Sequence, residues 1–529
     1  MASKTTRKAK AVKVPAEAKK VAHGARMSYE AASVRRRLGH WRPGSEGPNR
    51  LVAMDGRKLR DRARELVRNN PYAASACESF VANLVGTGIK PSPTISDKAL
   101  RKAVSQAWSD WTDEADADGL SDFYGLQSLA GRAMFEAGEC FIRLRARRPE
   151  DGLSVPLQLQ LLEGDMCPIE LNKVADNGNR IVNGVEFNAI GARVAYWFYR
   201  RHPGDGLVFD GSDTNSPVRV PADQVLHIFR PLRPGQVRGL PWVAPAMLKL
   251  WLLDSYDDAE LERKKVAALF AGFIKAPEAV FEDEAPEADD LQDVPQVTLE
   301  PGTLQQLLPG EEIEFASPAD VGGSYEAFQY RNLLSIASAL SIPYAAMTGD
   351  LKKANYSSSR GGIVEFHRRL EQVQHGVMVY QMCRPVRAQW FKAGVLSGAL
   401  PVTATQYRTA PLDYVRTRWI APASQWADPY KDTNAELIAV RAGFKPLSDV
   451  LEANGYDAVE ALERIAADAA LLDDYGLVLD SDARKVSKAG LTQARAPGSV
   501  LPDPLLEGSD VVQTPERDDE EDDPAATAA

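Results

Sequence analysis

The sequence is poor in cysteine, and the cysteines it has are far apart. Its 529 residues contain four, Cys77, Cys140, Cys167 and Cys383, with no CxxC pair among them. This spacing argues against a zinc site and against a disulfide framework, and it indicates a reducing cytosol. Cys140 and Cys383 fall within apolar stretches, so we predict that they are core thiols.

Short catalytic motifs are also missing. No GxxxxGK[ST] loop, HExxH helix or GxSxG elbow occurs, which leaves a nucleotide-driven motor, a zinc protease and a serine hydrolase without support. Three acids on a predicted helix, Asp254, Asp257 and Asp258, could in principle hold Mg²⁺ for a nuclease. Consecutive helical acids are more often a solvated face. We therefore expect no enzyme, no metal and no cofactor.

Long apolar runs are absent as well. The longest spans about nine residues, from Val266 to Ile274, which is too short to cross a bilayer. The basic N-terminal region lacks the apolar segment of a secretory signal. We expect a soluble intracellular protein with no membrane partner.

The net charge is −10, but the charged residues are distributed unevenly along the chain. Residues 1–42 hold twelve Lys or Arg against two acids, whereas residues 502–529 hold ten acids against one Arg. Residues 278–314 hold twelve acids and no base. Charge runs of this kind are usually solvated and disordered, as we expect for both termini. Apolar residues interrupt 278–314, which favours a folded acidic element there.

Periodicity predicts an α+β first half. A helix from Asp55 or Gly56 to about Gly86 is predicted, kinked or split at Pro71. A second helix is predicted around 98–116. Between Glu139 and His227 the pattern changes to short alternating runs divided by Asn, Gly and Pro, which are strand signals. The runs are CFIRLRARR, LQLQLLE, IVNGVEFN, RVAYWFYRR and VLHIFRP.

The second half is predicted to be mainly helical. Long helices are expected from Val243 to Phe273 and from Ser324 to Leu340. The clearest periodicity follows as a narrow apolar seam, which suggests packing against another helix in a second copy of the chain, and Pro385 should end or bend this helix. Residues 400–425 alternate like strands, and 429–475 should be helical with an Asp457–Glu460 capping box. The seam consists of Ile363, Phe366, Leu370, Val373, Val377 and Tyr380.

Between these helices lies a polar loop with two adjacent lysines. Lys352 and Lys353 are followed by Asn355, Tyr356 and three serines, which are donors suited to phosphate contact. Two lysines in a polar loop are more often surface residues that aid solubility. Their position between two long helices favours a nucleic-acid contact.

Four ordered stretches resemble the portal proteins of lambda-type bacteriophages, and the likeness extends over roughly residues 28–476. The stretches are LRDRARELVRNNPYAASACESFVANLVGTGIKP (59–91), HIFRPLRPGQVRGLPWVAPAM (227–247), IEFASPADVGGSYEAF (313–328) and SIPYAAMTGDLKKANYSSSRGGIVEF (341–366). The resemblance implies a mainly helical α+β portal fold and a ring of about twelve subunits at one capsid vertex. Double-stranded DNA would pass through the ring during packaging and ejection.

The resemblance also implies a set of parts and partners. Lys352, Lys353, Asn355 and Tyr356 would belong to a tunnel loop that contacts DNA, and Glu311, Glu312 and Glu314 to a clip that docks partners. The partners would be the terminase large subunit, a major capsid or scaffold protein, and head-completion or connector proteins. The protein would be in the virion, and in the host cytoplasm during assembly. The implied parts are a basic arm (1–27), an α/β wing (28–240), a stem helix (241–273), an acidic clip (274–316), a second stem helix (317–343), the tunnel loop (344–358), a long helix (359–395), wing return strands (396–427), a helical crown (428–476) and an acidic tail (477–529).

Two other classes stay open at this point. One is a metal-dependent nuclease that uses the Asp254 cluster, which a cleavage assay would identify. The other is a minor capsid-shell protein, which would form lattices rather than closed rings.

Overall fold

The computed structural model describes residues 40, 43–205, 215–269, 273–275, 312–314, 324–352, 356–422, 429–479, 482 and 485. The arm, most of the acidic clip and most of the acidic tail lie outside these residues. The chain divides into two compact units: one extends to Ile438 and includes Ala453–Gly455, and the other comprises Ala439–Glu452 and the chain from Tyr456 onward.

Helices dominate both units, and twelve short strands are described in the first. The helices are α1 (Pro48–Asn69), α2 (Pro71–Leu84), α3 (Lys98–Thr112), α4 (Phe123–Glu136), α5 (Met247–Leu269), α6 (Ser324–Leu340), α7 (Tyr344–Thr348), α8 (Tyr356–Val373), α9 (Arg384–Ser397), α10 (Ala404–Thr409), α11 (Pro411–Val415), α12 (Pro429–Arg441), α13 (Leu447–Ala453) and α14 (Ala458–Asp474), with a π-helical segment, Gln374–Cys383, between α8 and α9. The strands are β1 (Lys90–Pro93), β2 (Glu139–Ala146), β3 (Leu157–Glu163), β4 (Lys173–Val174), β5 (Arg180–Val182), β6 (Val185–Phe187), β7 (Arg193–Phe198), β8 (Val218–Pro221), β9 (Val225–Phe229), β10 (Phe273–Lys275), β11 (Glu312–Glu314) and β12 (Thr417–Ile420). The predicted α+β, mainly helical class is confirmed.

The first helical pair is split where the sequence predicts it. Asn70 is extended, as expected for the residue before proline, and its side chain accepts a hydrogen bond from Ala73 N at 3.0 Å to cap α2. The predicted start at Asp55 or Gly56 is wrong, because α1 begins at Pro48, a residue favoured at the first helical position.

An aromatic core joins α3, α4 and α9. Trp108 contacts Trp111, Phe123 and Trp390, with ring centroids 5.0 to 5.3 Å apart. Trp111 donates its indole N–H to the carbonyl of Leu157 on β3 at 2.8 Å, which ties the helices to the sheet. These contacts make α3, α4, α9 and β3 parts of one hydrophobic core.

Two antiparallel sheets carry the strand-rich part of the first unit. The three-stranded sheet has the order β3-β2-β9, and the five-stranded sheet has the order β4-β5-β6-β7-β8. A smaller apolar cluster contains Phe141 of β2 together with Val185, Tyr196 and Phe198 of the larger sheet. Gln381, in the π-helical segment, accepts a hydrogen bond from the backbone N–H of Phe229 at 2.9 Å and donates one to the carbonyl of Phe229 at 3.0 Å. These two bonds continue the hydrogen-bonding pattern of the sheet beyond β9.

The predicted apolar seam is mostly a core element rather than an open face. Its four middle residues are buried in the main hydrophobic core, while Ile363 and Tyr380 at its ends are 38% and 64% exposed. Gln374 donates to the carbonyl of Leu84 at 2.9 Å, which holds this helix against α2. The expectation that a second copy must cover the whole seam is therefore wrong.

Two further expectations about this region need correction. Of the two effects expected of Pro385, ending the helix is wrong: the residue lies in the first turn of α9, after the π-helical segment, where a missing N–H is tolerated. A bend at Pro385 stays a prediction. Residues 400–425 are not mainly strands. Thr403 and Gln406 form a capping box that starts α10, α11 follows, and only β12 is extended, pairing with β1 from Lys90↔Ile420 to Pro93↔Thr417.

The second unit contains α13 and α14. Asp457 caps α14 by accepting from Val459 N at 2.9 Å and Glu460 N at 3.0 Å, so the predicted cap is confirmed, although the reciprocal Glu460 contact of a full box is not among the described hydrogen bonds. Among the described residues of both units, no helix is long and apolar enough to cross a membrane.

Candidate nucleic-acid interface and its buried support

The predicted basic loop begins on a turn fixed to the protein body. After α6, Ser341 adopts φ +60 and leads into the short helix α7, whose Met347 is buried in the main core. Gly349 ends α7 in the left-handed conformation, φ 71, which glycine adopts without steric cost. The chain thus leaves the core at a defined point just before the lysines.

Asp350 organises the turn that leads to Lys352. Its carboxylate accepts from the backbone N–H of Lys352 at 2.9 Å and from the Tyr344 hydroxyl at 3.3 Å, and its own N–H donates to Thr348 at 3.2 Å. Lys352 is exposed. Lys353 and Asn355 lie outside the described residues, and Tyr356 is described only as the first residue of α8. Of the four predicted DNA-contacting residues, only the Lys352 side chain is placed.

The predicted docking glutamates fall at a small antiparallel hairpin. β11 pairs with β10 in the register Phe273↔Glu314 and Lys275↔Glu312, while Glu311 lies outside the described residues. Lys275 and Glu312 are thus partners in the backbone register of this hairpin.

The Asp254 cluster is part of the contact between α5 and α6. Asp257 accepts from the Tyr325 hydroxyl at 2.9 Å and from the Gln329 amide at 3.1 Å. Burial, with Asp258 and Asp257 nearby, raises the pKa of Asp254. These contacts give Asp257 a helix-joining role and do not favour the nuclease alternative.

A different trio of possible metal ligands is already neutralised by arginines. Glu163, Asp165 and His202 lie near one another within the part of the chain that the structure describes. Arg64 contacts Asp165 at 2.7 Å, and Arg60 contacts it at 3.4 Å. Burial alone would raise the pKa of Asp165, but these two guanidinium groups hold it below its ordinary value. A divalent cation would have to compete with both, so the trio fits an ion-pair network better than a metal.

Sequence reasoning missed the most elaborate polar site, which is centred on Glu139. This carboxylate is completely buried on β2 and contacts Arg238 at 2.6 Å, His227 at 3.0 Å and the N–H of Gly239 at 2.8 Å. Arg238, also completely buried, donates to the carbonyls of Gly164, Cys167 and Asn183 at 2.7 to 3.0 Å. The site therefore links three elements: β2, β9 and the segment before α5. Through the backbone carbonyls that Arg238 contacts, it links them to both sheets. We call Glu139, His227 and Arg238 the Glu139 cluster.

The charges of the Glu139 cluster follow from its burial. Burial would raise the pKa of Glu139, but Arg238 and His227 lower it far below its ordinary range. Burial is the main cause that lowers the pKa of His227 to about 4, despite the opposing effect of Glu139. At neutral pH the cluster is thus an ion pair of Glu139 and Arg238 with a neutral His227, whose Nε2 donates to the carboxylate.

Two glycines allow the backbone to close over this cluster. A Cβ on Gly138, where φ is +86, would lie 2.2 Å from the carbonyl carbon of Leu240, and one on Gly239 would lie 2.1 Å from the Gly138 oxygen. The RGLPW segment lies within one of the four stretches that resemble portal proteins. This segment has a structural role because Arg238 and Gly239 both donate hydrogen bonds to the Glu139 carboxylate, about a hundred residues earlier in the chain.

Comparison with known proteins gives consistent results. The family model described as "Phage portal protein, lambda family" matches residues 34–374. The chain is 26% identical to the "Probable portal protein" of Halomonas phage phiHAP-1, over 79% of this chain and 81% of that protein. It is 23% identical to "Portal protein B" of Escherichia phage lambda, over 62% of this chain and 67% of that protein.

Solved structures give a weaker likeness. The neck of a native gene transfer agent particle, computed with C12 symmetry, contains a chain that is 15% identical, covering 77% of this chain and 98% of that one at a TM-score of 0.45. The resemblance inferred from the four sequence stretches is confirmed by the family match. Because that match covers more than half of the sequence, the protein belongs to the lambda family of phage portal proteins.

Proposed function

We propose that this chain forms a closed ring of about twelve copies at a single capsid vertex, through which double-stranded DNA is packaged and ejected. Family membership supports this role. The structural observation that supports it is the turn before Lys352. Buried Met347 anchors this turn and Asp350 orders it, while the lysine stays exposed. The role is structural, and the nuclease alternative is not favoured because Asp257 already joins α5 to α6.

The parts of the portal fold are assigned within this proposal. Pairing of β12 with β1 supports a return of the chain from 396–427 to the wing, 28–240. The contact of α5 with α6 supports a two-helix stem, and the hairpin of β10 and β11 supports a clip at 274–316. The long helix behind the tunnel loop would run from α8 through α9, and the crown would contain α12, α13 and α14.

In the proposed channel, DNA must slide, so attraction has to be weak and renewable. A ring of lysines on fixed turns gives each passing phosphate a brief, salt-sensitive contact, worth a slope of about −0.9 per contact in log affinity against log salt. Asn355 and Tyr356 would add polar donors beside Lys352 and Lys353. The long-range field must not trap the polyanion, and outside the charged segments the chain is close to neutral.

The acidic clip would receive the terminase large subunit during packaging and connector proteins afterwards. Glu311, Glu312 and Glu314 would speed and orient docking by complementary charge. A capsid or scaffold protein would contact the outside of the ring. The protein would assemble in the host cytoplasm and remain in the virion.

A packaging reaction with Lys352→Ala and Lys353→Ala tests the proposal. The double variant should still form rings in negative-stain images and melt at nearly the same temperature, because Lys352 is exposed. Packaged DNA per head should fall. A matched variant, Arg62→Ala with Arg68→Ala, removes two exposed charges from α1 and should package normally. Normal DNA content with the lysine variant would remove the loop's DNA role, and wild-type protein that forms no rings would remove the portal architecture.

A further inference from the structure

A pocket beside the three-stranded sheet is lined by cations and by no acid. Its volume is about 340 Å³, and its polar lining includes Arg143 and Arg145 of β2, Gln160 of β3, and Arg200 just after β7. Leu162, Met166, Phe198, Val218 and Val220 supply apolar walls. The pocket lies outside the Glu139 cluster and the basic loop.

The sequence of β2 creates the cationic wall. Side chains on a strand alternate between faces, so Arg143 and Arg145 project from one face of β2 and Arg147 continues the same spacing. Their neighbours on β3 are neutral: Gln160 accepts from Arg145 Nε at 2.9 Å, and Gln158 accepts from Arg147 Nε at 2.8 Å. Amide oxygens position these guanidinium groups without cancelling their charge.

The arginines of this pocket differ from three other arginines near the sheets. Arg64, Arg219 and Arg238 each contact a carboxylate at 2.5 to 2.8 Å. Among the described residues, Arg143, Arg145 and Arg200 form no ion pair, and the buried Nε of Arg143 has no hydrogen-bond acceptor. Burial, together with repulsion from Arg143 and Arg147, lowers the pKa of Arg145, and Asp118 offsets this only in part. The pocket thus holds positive charge that the described residues offset only in part.

From this geometry we infer that the pocket formed by Arg143, Arg145 and Arg200 binds an acidic peptide segment. A carboxylate would pair with the guanidinium groups, and a neighbouring aliphatic side chain would fill the apolar walls. A DNA backbone offers phosphates but no aliphatic side chain, and a concave pocket of this size suits a side chain better than a duplex. The chain itself carries a suitable segment: residues 278–293 hold eight acids and no base, with Val280, Phe281 and Leu291 among them. The inference does not depend on the proposed function.

Fluorescence anisotropy with the full-length protein tests it. The probes are labelled peptides of residues 503–523 and 278–293, the same peptides with Asn and Gln in place of Asp and Glu, and a random-sequence DNA duplex. The 503–523 peptide is a second acidic sequence for comparison, and the 278–293 peptide should bind more tightly than it does. Arg143→Gln with Arg200→Gln should weaken binding of the 278–293 peptide about tenfold, while Arg143→Lys with Arg200→Lys should restore part of it.

The matched control, Arg62→Gln with Arg68→Gln, removes equal charge from the exposed face of α1 and should leave peptide binding unchanged. Thermal melts of each variant check folding, and Arg145 is left in place because it bonds Gln160. The inference is overturned if the 278–293 peptide does not bind, if the 503–523 peptide binds more tightly, or if the amide peptides bind equally well. Equal weakening by the two Gln variants would also overturn it, as would DNA that binds the pocket in preference to both peptides.

Discussion

Two arginines among the described residues are completely buried, and their surroundings are opposite. Arg238 contacts the Glu139 carboxylate and three backbone carbonyls. Arg387, on α9, lies with its guanidinium carbon 4.7 Å from the ring centroid of Trp108 and 4.5 Å from that of Trp390. None of its three nitrogens has a hydrogen-bond acceptor among the described residues.

The difference shows two ways of keeping a cation inside a protein. Burial alone would lower the pKa of either group. At Arg238 the neighbouring Cys167 and Glu139 reverse that effect and raise the pKa. At Arg387 burial prevails and lowers the pKa to about 9, with only Tyr124 acting against it. Arg238 is thus specified by directional bonds that join separate elements, and Arg387 by the faces of two aromatic rings.

The largest expected effect comes from breaking the first arrangement. Arg238→Met removes the cation that contacts the buried Glu139 carboxylate most closely, and we expect the free energy of unfolding to fall by about 3–5 kcal/mol. Chemical denaturation followed by tryptophan fluorescence measures this. Arg219→Met is the matched control, because Arg219 also pairs with a buried glutamate, Glu186, but is itself partly exposed. A loss at Arg238 no greater than at Arg219 would contradict the central role of the cluster.

Acidification should weaken the same cluster. Burial, the largest cause, lowers the pKa of His227 from 6.5 to about 4. Between these values the unfolded chain binds a proton that the folded protein does not, so the free energy of unfolding falls as pH falls from 6.5 to 4. The loss should be on the order of 3 kcal/mol.

Denaturation at pH 7, 6, 5 and 4 measures this loss. His227→Gln, which keeps an N–H donor for Glu139, should flatten that part of the profile, while His375→Gln on the exposed helix surface should not. An unchanged profile in the His227 variant would show that other groups cause the acid sensitivity.

Local signals predicted much of the fold but little of the Glu139 cluster. Pro71 marked the split between α1 and α2, and the LQLQLLE alternation coincides with β3. α4 was missed because Gly125 and Gly131 weaken its helical pattern, while its cap, Asp122, resembles an ordinary turn residue. In 400–425 the Thr403 capping box outweighed the alternation. The cluster could not be predicted, because Glu139 and Arg238 meet only through the order of the sheet.

The seam and the arginine pocket are two further features that local sequence patterns predicted only in part. Periodicity identified the apolar face of α8 but could not show that α2 covers it within the same chain. The alternation in CFIRLRARR predicted a strand. It could not show that the neighbours on β3 would be glutamines and that β7 would bring Arg200 to the same pocket.

The smallest effect is expected where Arg387 is replaced by methionine. Removing this cation loses its interaction with Trp108 and Trp390, which is worth up to about 2 kcal/mol when desolvated. It also removes the cost of a buried charge without hydrogen bonds, and a flexible apolar side chain of similar length can fill the space. The two changes oppose each other, so the free energy of unfolding should change by no more than about 1 kcal/mol.

Arg387→Lys should be worse than Arg387→Met, because lysine keeps the charge but loses the flat stacking group. If Arg387→Met instead destabilises as much as Arg238→Met, measured by the same denaturation, the aromatic faces stabilise the cation as strongly as the carboxylate does, and the contrast between the two sites fails.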